Sequence, residues 1–129
     1  MIAMTVTENN GGIMFGSRRC SMDKNLNEFI HDFASGNSIF GTPYTAMMLD
    51  ECKPMRTLDD CGEDDVLFIE NVIPDLTDSR ITMFVLFQWN RDYPSTLKFE
   101  FDRTGWRRIF KTSIDGNSHD EIGMEVYVR

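Results

Sequence analysis

Residues 81–89 read Ile81-Thr82-Met83-Phe84-Val85-Leu86-Phe87-Gln88-Trp89. A strand with one wet face alternates apolar and polar residues, and this one barely does. The run therefore predicts a central strand covered on both faces. Working back toward the N-terminus, Val66-Leu67-Phe68-Ile69-Glu70-Asn71-Val72-Ile73 is a second strand, closed by Pro74. Working forward, Asn90-Arg91-Asp92-Tyr93-Pro94 turns the chain, and Leu97, Phe99 and Phe101 alternate with Lys98, Glu100 and Asp102 as a half-exposed strand. Arg103-Thr104-Gly105 turns again, residues 107–114 extend, and Ile122, Met124, Val126 and Val128 mark one face of a last strand. Such short connections predict antiparallel neighbours.

The N-terminal half reads differently. Met4–Thr7 and Ile13–Phe15, joined by Glu8-Asn9-Asn10-Gly11-Gly12, predict a hairpin. Leu26, Phe29, Ile30 and Phe33 then fall at the i, i+3, i+4, i+7 spacing of an amphipathic helix. Ser21 or Asp23 caps it and Gly36 ends it. A second helix is expected from Pro43 to about Glu51, with Thr42 as N-cap and Pro43 at the first helical position. The expected fold class is α+β: an antiparallel sheet of four to six strands with one or two N-terminal helices packed on one face. Residues 1–129 are expected to form a single domain.

The composition, 41% apolar and 12% aromatic, is that of a globular chain. No apolar run approaches the roughly eighteen residues of a membrane-spanning helix, and the start of the chain lacks a secretory signal pattern. Cys20, Cys52 and Cys61 are odd in number and form no C-x-x-C pair, which fits reduced thiols and a cytoplasmic protein. The net charge of −8 is unevenly placed. Residues 50–78 hold ten carboxylates against Lys53 and Arg56, which accounts for all of it. Such a face repels nucleic acid and anionic membranes.

Metal and cofactor motifs are missing. Placing Gly62 at position 6 of a calcium loop puts Thr57 at position 1, Cys61 at 5 and Phe68 at 12, so the required oxygen ligands fail. His31 and His119 have no zinc spacing with the cysteines, and no phosphate loop or Gly-rich dinucleotide turn is present. No cofactor and no metal are expected. Arg103, Arg107, Arg108 and Lys111 around Trp106, joined by Arg18-Arg19, make a basic cluster with two readings, binding of RNA or phosphate and, the favoured one, pairing with the chain's own acids. His119 beside Asp120 and Glu121 leaves a small enzyme as the alternative, and an exposed strand edge leaves an adaptor or subunit.

Acidic residues held on folded elements suit a partner with a basic groove, and nucleases have such grooves. The helix Asp23–Ser35, the acidic stretch LDDCGEDD (58–65) and the strand-rich end GWRRIFKTSIDGNSHDEIGMEVYVR together resemble the immunity proteins of contact-dependent growth inhibition systems. That resemblance implies a non-enzymatic antitoxin. It would bind the toxin domain of a large secreted protein, an RNase by preference, in a one-to-one complex. Asp59, Asp60, Glu63, Asp64, Asp65, Asp75 and Asp78 would meet the toxin's basic residues, with Tyr44, Trp89 and Tyr93 as aromatic anchors.

Overall fold

The computed structural model describes residues 1–20, 23–117 and 121–129. Its elements are β1 (Ile2–Thr7), β2 (Gly12–Phe15), β3 (Arg18–Arg19), α1 (Lys24–Ala34), β4 (Ile39–Gly41), α2 (Pro43–Ala46), β5 (Cys52–Pro54), a 3₁₀ turn (Leu58–Asp60), β6 (Val66–Ile69), β7 (Met83–Trp89), β8 (Leu97–Lys98), β9 (Arg107–Ile114) and β10 (Ile122–Val128). Seven strands make one sheet in the order β5-β4-β6-β1-β7-β10-β9, and β3-β2-β8 make a small second sheet.

The expected antiparallel sheet of four to six strands is wrong. β1 pairs in parallel with both β6 and β7, and β4 pairs in parallel with β5 and β6. Within the seven-stranded sheet, only β10 and β9, at one end, run antiparallel to their neighbours. The stretch 70–82 between β6 and β7 carries the chain across β1, and a connection of about a dozen residues suffices for such a crossover. The apolar run at 81–89 already carried this sign, because parallel strands are buried on both faces.

Period-two alternation divides the core into two halves. Met4 and Val6 of β1, Val66 and Phe68 of β6, and Val85 and Phe87 of β7 point to one face, where Leu26, Ile30 and Ala34 of α1 cover them. Ala3, Leu67, Ile69 and Phe84 point to the other face. No long helix covers that second face. It is closed by Ile13 and Met14 of β2 and by an aromatic group built on Phe84, Phe99, Phe101 and Trp106.

Local expectations fared unevenly. Asp23 caps α1, accepting from the backbone N–H of Asn25 and Leu26; Ser21 lies outside the described residues. Thr42 caps α2 as expected, but the helix ends at Ala46 and β5 follows. Met4–Thr7 and Ile13–Phe15 are strands, yet they belong to different sheets and form no hairpin. Of the strand expected around residues 97–102, only Leu97–Lys98 forms one.

Candidate functional site

In open parallel sheets, ligands sit beyond the carboxyl ends of the strands, near the point where strand order reverses. Here that point lies around β1, between β6 and β7, and the protein's own side chains fill it. Glu70 follows the last residue of β6 and is 6% exposed. Its carboxylate accepts from Arg19 Nε at 2.9 Å and from Thr45 Oγ1 at 2.8 Å. The Arg19 guanidinium lies over the Tyr44 ring, 4.5 Å from its centroid. Beside it, the buried Glu8 accepts backbone N–H groups of Gly12, Asn10 and Tyr93 at 2.7, 2.8 and 3.1 Å. Burial works to raise the Glu8 pKa, but these bonds to its charged form outweigh it and hold the carboxyl below its usual range. The Cys20 thiol is pushed up to about 12, first by burial and then by the charges of Glu8 and Glu70. It is therefore an inert thiol rather than a nucleophile. A void of about 10 Å³ remains among Val6, Ile13, Cys20, Phe68, Ile69 and Glu70, about the space of one water.

The open space lies next to it. A cleft of about 360 Å³ runs beyond the ends of β4, β5 and β6. Met55, Leu58, Leu67, Ile69, Val72 and Pro74 give it apolar walls. Thr42, Arg56, Thr57, Asp59, Asp75 and Arg80 supply polar groups. The 3₁₀ turn shapes one wall: Thr57 caps it, and Asp60 reaches back to the N–H of Arg56 and Thr57. Those two bonds, aided by the Arg56 charge, hold the Asp60 carboxyl below its usual range. Arg80 donates to Asp59 at 2.6 Å and to Asp78 at 2.8 Å. Its bonds hold the Asp78 carboxyl down to about 2, and the Arg80 pKa is raised. Arg56 is different. Among the described residues its guanidinium has no ion-pair or side-chain hydrogen-bond partner.

Several of the acidic residues singled out in the sequence gather near Arg80, and others tie local loops. Asp59 and Asp75 line the cleft, and Arg80 joins Asp59 to Asp78. Asp65 accepts from Gly62 and Ser38 N–H, tying a loop, and Asp75 accepts from Thr77. Glu63 sits in a separate depression with Met1, Cys61 and Arg80, and Asp64 is exposed. Trp89 and Tyr93 are ring neighbours at 5.7 Å, while Tyr44 lies under Arg19. His119 and Asp120 lie outside the described residues. Sequence reasoning missed Arg56, Glu70 and Arg80 as site residues, and weighed Arg19 only as an addition to the basic cluster. The available signal was a polar pair, Glu70-Asn71, placed where an apolar strand ends.

No family model matches the chain, and no curated protein matches its sequence. Among solved structures, a dihydrofolate reductase from Enterococcus faecalis, complexed with NADP(H) and RAB-propyl, superposes with a TM-score of 0.74 over 100% of this chain and 96% of that one, at 12% identity. The fold is similar to that of a dihydrofolate reductase. This finding overturns the immunity-protein reading, and with it the toxin partner, the antitoxin and nuclease-inhibitor role, and the description as a non-enzyme. That reading rested on a charge profile without a diagnostic motif. The structure shows many of those carboxylates tying the chain's own loops. No helix among the described residues is long and apolar enough to cross a membrane.

Proposed function

We propose that the protein is a small reductase-type enzyme that binds a nicotinamide nucleotide in the cleft beyond β4, β5 and β6. The observation that carries this reading is an apolar-walled cleft beside the carboxyl ends of parallel strands, with Arg56, whose charge acts on Asp60, outside the salt bridges that occupy Arg19 and Arg80. The E. faecalis protein of similar fold, which is complexed with NADP(H), supports it. The volume falls within the range of small-molecule pockets, about 300–1,000 Å³.

The residues fit such a group in part of its length. Leu67, Ile69, Val72 and Pro74 suit a planar ring, and Arg56 with the Thr57 hydroxyl suits one phosphate. Asp59 and Asp75 disfavour a second phosphate close by, and Arg80 is already committed to its two aspartates. A nicotinamide nucleotide supplies a hydride when bound. The chain's contribution is to hold the ring against apolar walls, to orient it by one charged contact and to keep water away.

Titrating the protein with NADPH and NADH by calorimetry tests the reading. Saturable binding of at least one is expected. Arg56→Ala should weaken it by about ten- to a hundredfold, the worth of a charge-assisted hydrogen bond of about 1.5–3 kcal/mol. Val72→Trp should block it sterically. Absence of binding by either nucleotide at millimolar concentration overturns the proposal. Following NADPH absorbance with dihydrofolate and other unsaturated heterocycles then asks for the reaction itself.

A further inference from the structure

His31 stands on α1, away from the cleft, and its two ring nitrogens meet two backbone carbonyls. Nδ1 is 2.7 Å from the Asn27 oxygen, one turn back on the same helix. Nε2 is 2.6 Å from the Asp50 oxygen, in the turn that follows α2. Carbonyl oxygens only accept, and a neutral imidazole has one N–H to give. Both contacts are satisfied only by the imidazolium. We propose that His31 is a protonation-dependent clamp that fastens the turn at residues 49–52 to α1 and lets go when the ring loses its proton.

The surroundings favour the charged form. Glu28 and Asp32 of α1 and Asp50 and Glu51 of the turn line the same groove, about 460 Å³, against the single Lys24. The His31 pKa is raised, first by its bond to the Asn27 carbonyl; burial opposes this, and the Asp50 carbonyl and the Glu51 and Asp50 charges add to it. The turn has reason to open when released. Glu51 is held at φ 60°, a left-handed conformation that residues other than glycine seldom adopt. It leads at once into β5, through a Cys52 N–H bonded to the Leu49 carbonyl at 3.1 Å.

The direction of the linkage follows. A group whose folded pKa is raised stabilises fully below its unfolded value, about 6.5 for histidine, and that share is lost as pH rises through the folded value. The clamp is therefore closed below the folded His31 pKa and opens as pH rises through it.

Long-range ¹H–¹⁵N NMR of the imidazole between pH 5 and 9, paired with hydrogen exchange at the Cys52 amide, tests this. The expected result is a His31 midpoint above the ordinary histidine value of about 6.5, with both ring nitrogens protonated below it. The Cys52 protection factor, corrected for intrinsic exchange, should fall several-fold across the His31 midpoint. His31→Gln, which keeps one donor at every pH, should abolish the inflection. A His31 midpoint at or below about 6.5, a protection factor indifferent to the titration, or an inflection that survives His31→Gln overturns the proposal.

Discussion

Glu70 and Arg19 illustrate how much a single buried contact decides. Their side chains are 6% and 15% exposed and 2.9 Å apart. Removing one partner from a buried pair leaves an uncompensated charge and costs about 3–5 kcal/mol. Urea unfolding of Arg19→Ala should show a loss of that size. Arg19→Met combined with Glu70→Leu should recover much of it, since neither charge then remains. Asp78 gives a residue-scale prediction of the opposite kind. Its carboxyl is held at about 2 by the Arg80 side chain. A lowered folded pKa gives stability that is present above the unfolded value, about 3.9, and lost as pH falls through about 2. A ¹³C carboxyl titration should find Asp78 protonating near pH 2, and Arg80→Gln should return it toward the ordinary range. His31 entered the sequence reading as a histidine without zinc spacing. Its Asp50 contact comes from another element and leaves no trace in local spacing.

At the scale of elements, α1 was legible because everything that makes it is local. Leu26, Phe29, Ile30 and Phe33 fall on one stripe, Asp23 caps the start, and Ser35 and Gly36 end it in left-handed conformations. Ile30 is fully buried in the core, so Ile30→Ala should cost about 2–5 kcal/mol in chemical denaturation. Asp23→Ala should cost about 0.5–2 kcal/mol as a lost N-cap, and it also removes the acceptor for the Asn117 N–H. The longer strands were legible as strands, by runs and alternation, whereas the short β3, β4 and β5 were not. Their partners were not. β1 and β2 are close in sequence and read as a hairpin, yet β1 chose β6 and β7, which supply apolar neighbours on both its faces. The turn residues at 8–12 are held instead by the Glu8 carboxylate, which captures Asn10 and Gly12 N–H. The acidic stretch 58–65 looked like a charged surface because Asp60 and Asp65 act as loop caps, and such bonds follow from three-dimensional loop geometry.

At the scale of the molecule, the sheet grades from a sealed centre to an open edge. β6, nearly all of β1, and Phe84, Val85 and Phe87 of β7 are buried, whereas β9 is exposed along nearly its whole length, with Ile109 and Phe110 about half exposed. Native-state hydrogen exchange should follow that gradient, with β1 and β6 amides opening only on global unfolding and β9 amides exchanging first. Uniform protection across the sheet would contradict it. The cleft belongs to this scale too. Its walls come from the ends of three parallel strands, the 3₁₀ turn and the connection toward β7, so no contiguous motif announces it. By itself the sequence determined the amphipathic helix α1, the extended character of β1, β2, β6, β7, β9 and β10, that the run at 81–89 is covered on both faces, and that the charge is concentrated in residues 50–78; it missed β3, β4 and β5 and ran α2 too far. Periodicity, capping and composition act over a few residues and are written along the chain. Tertiary structure alone decided that β1 lies between β6 and β7 in parallel, that Glu70 is neutralised by Arg19, and that Arg56 is left at a cleft. Those outcomes depend on pairing segments far apart in sequence, where burying both faces of the central strands outweighs the local preference for short antiparallel turns.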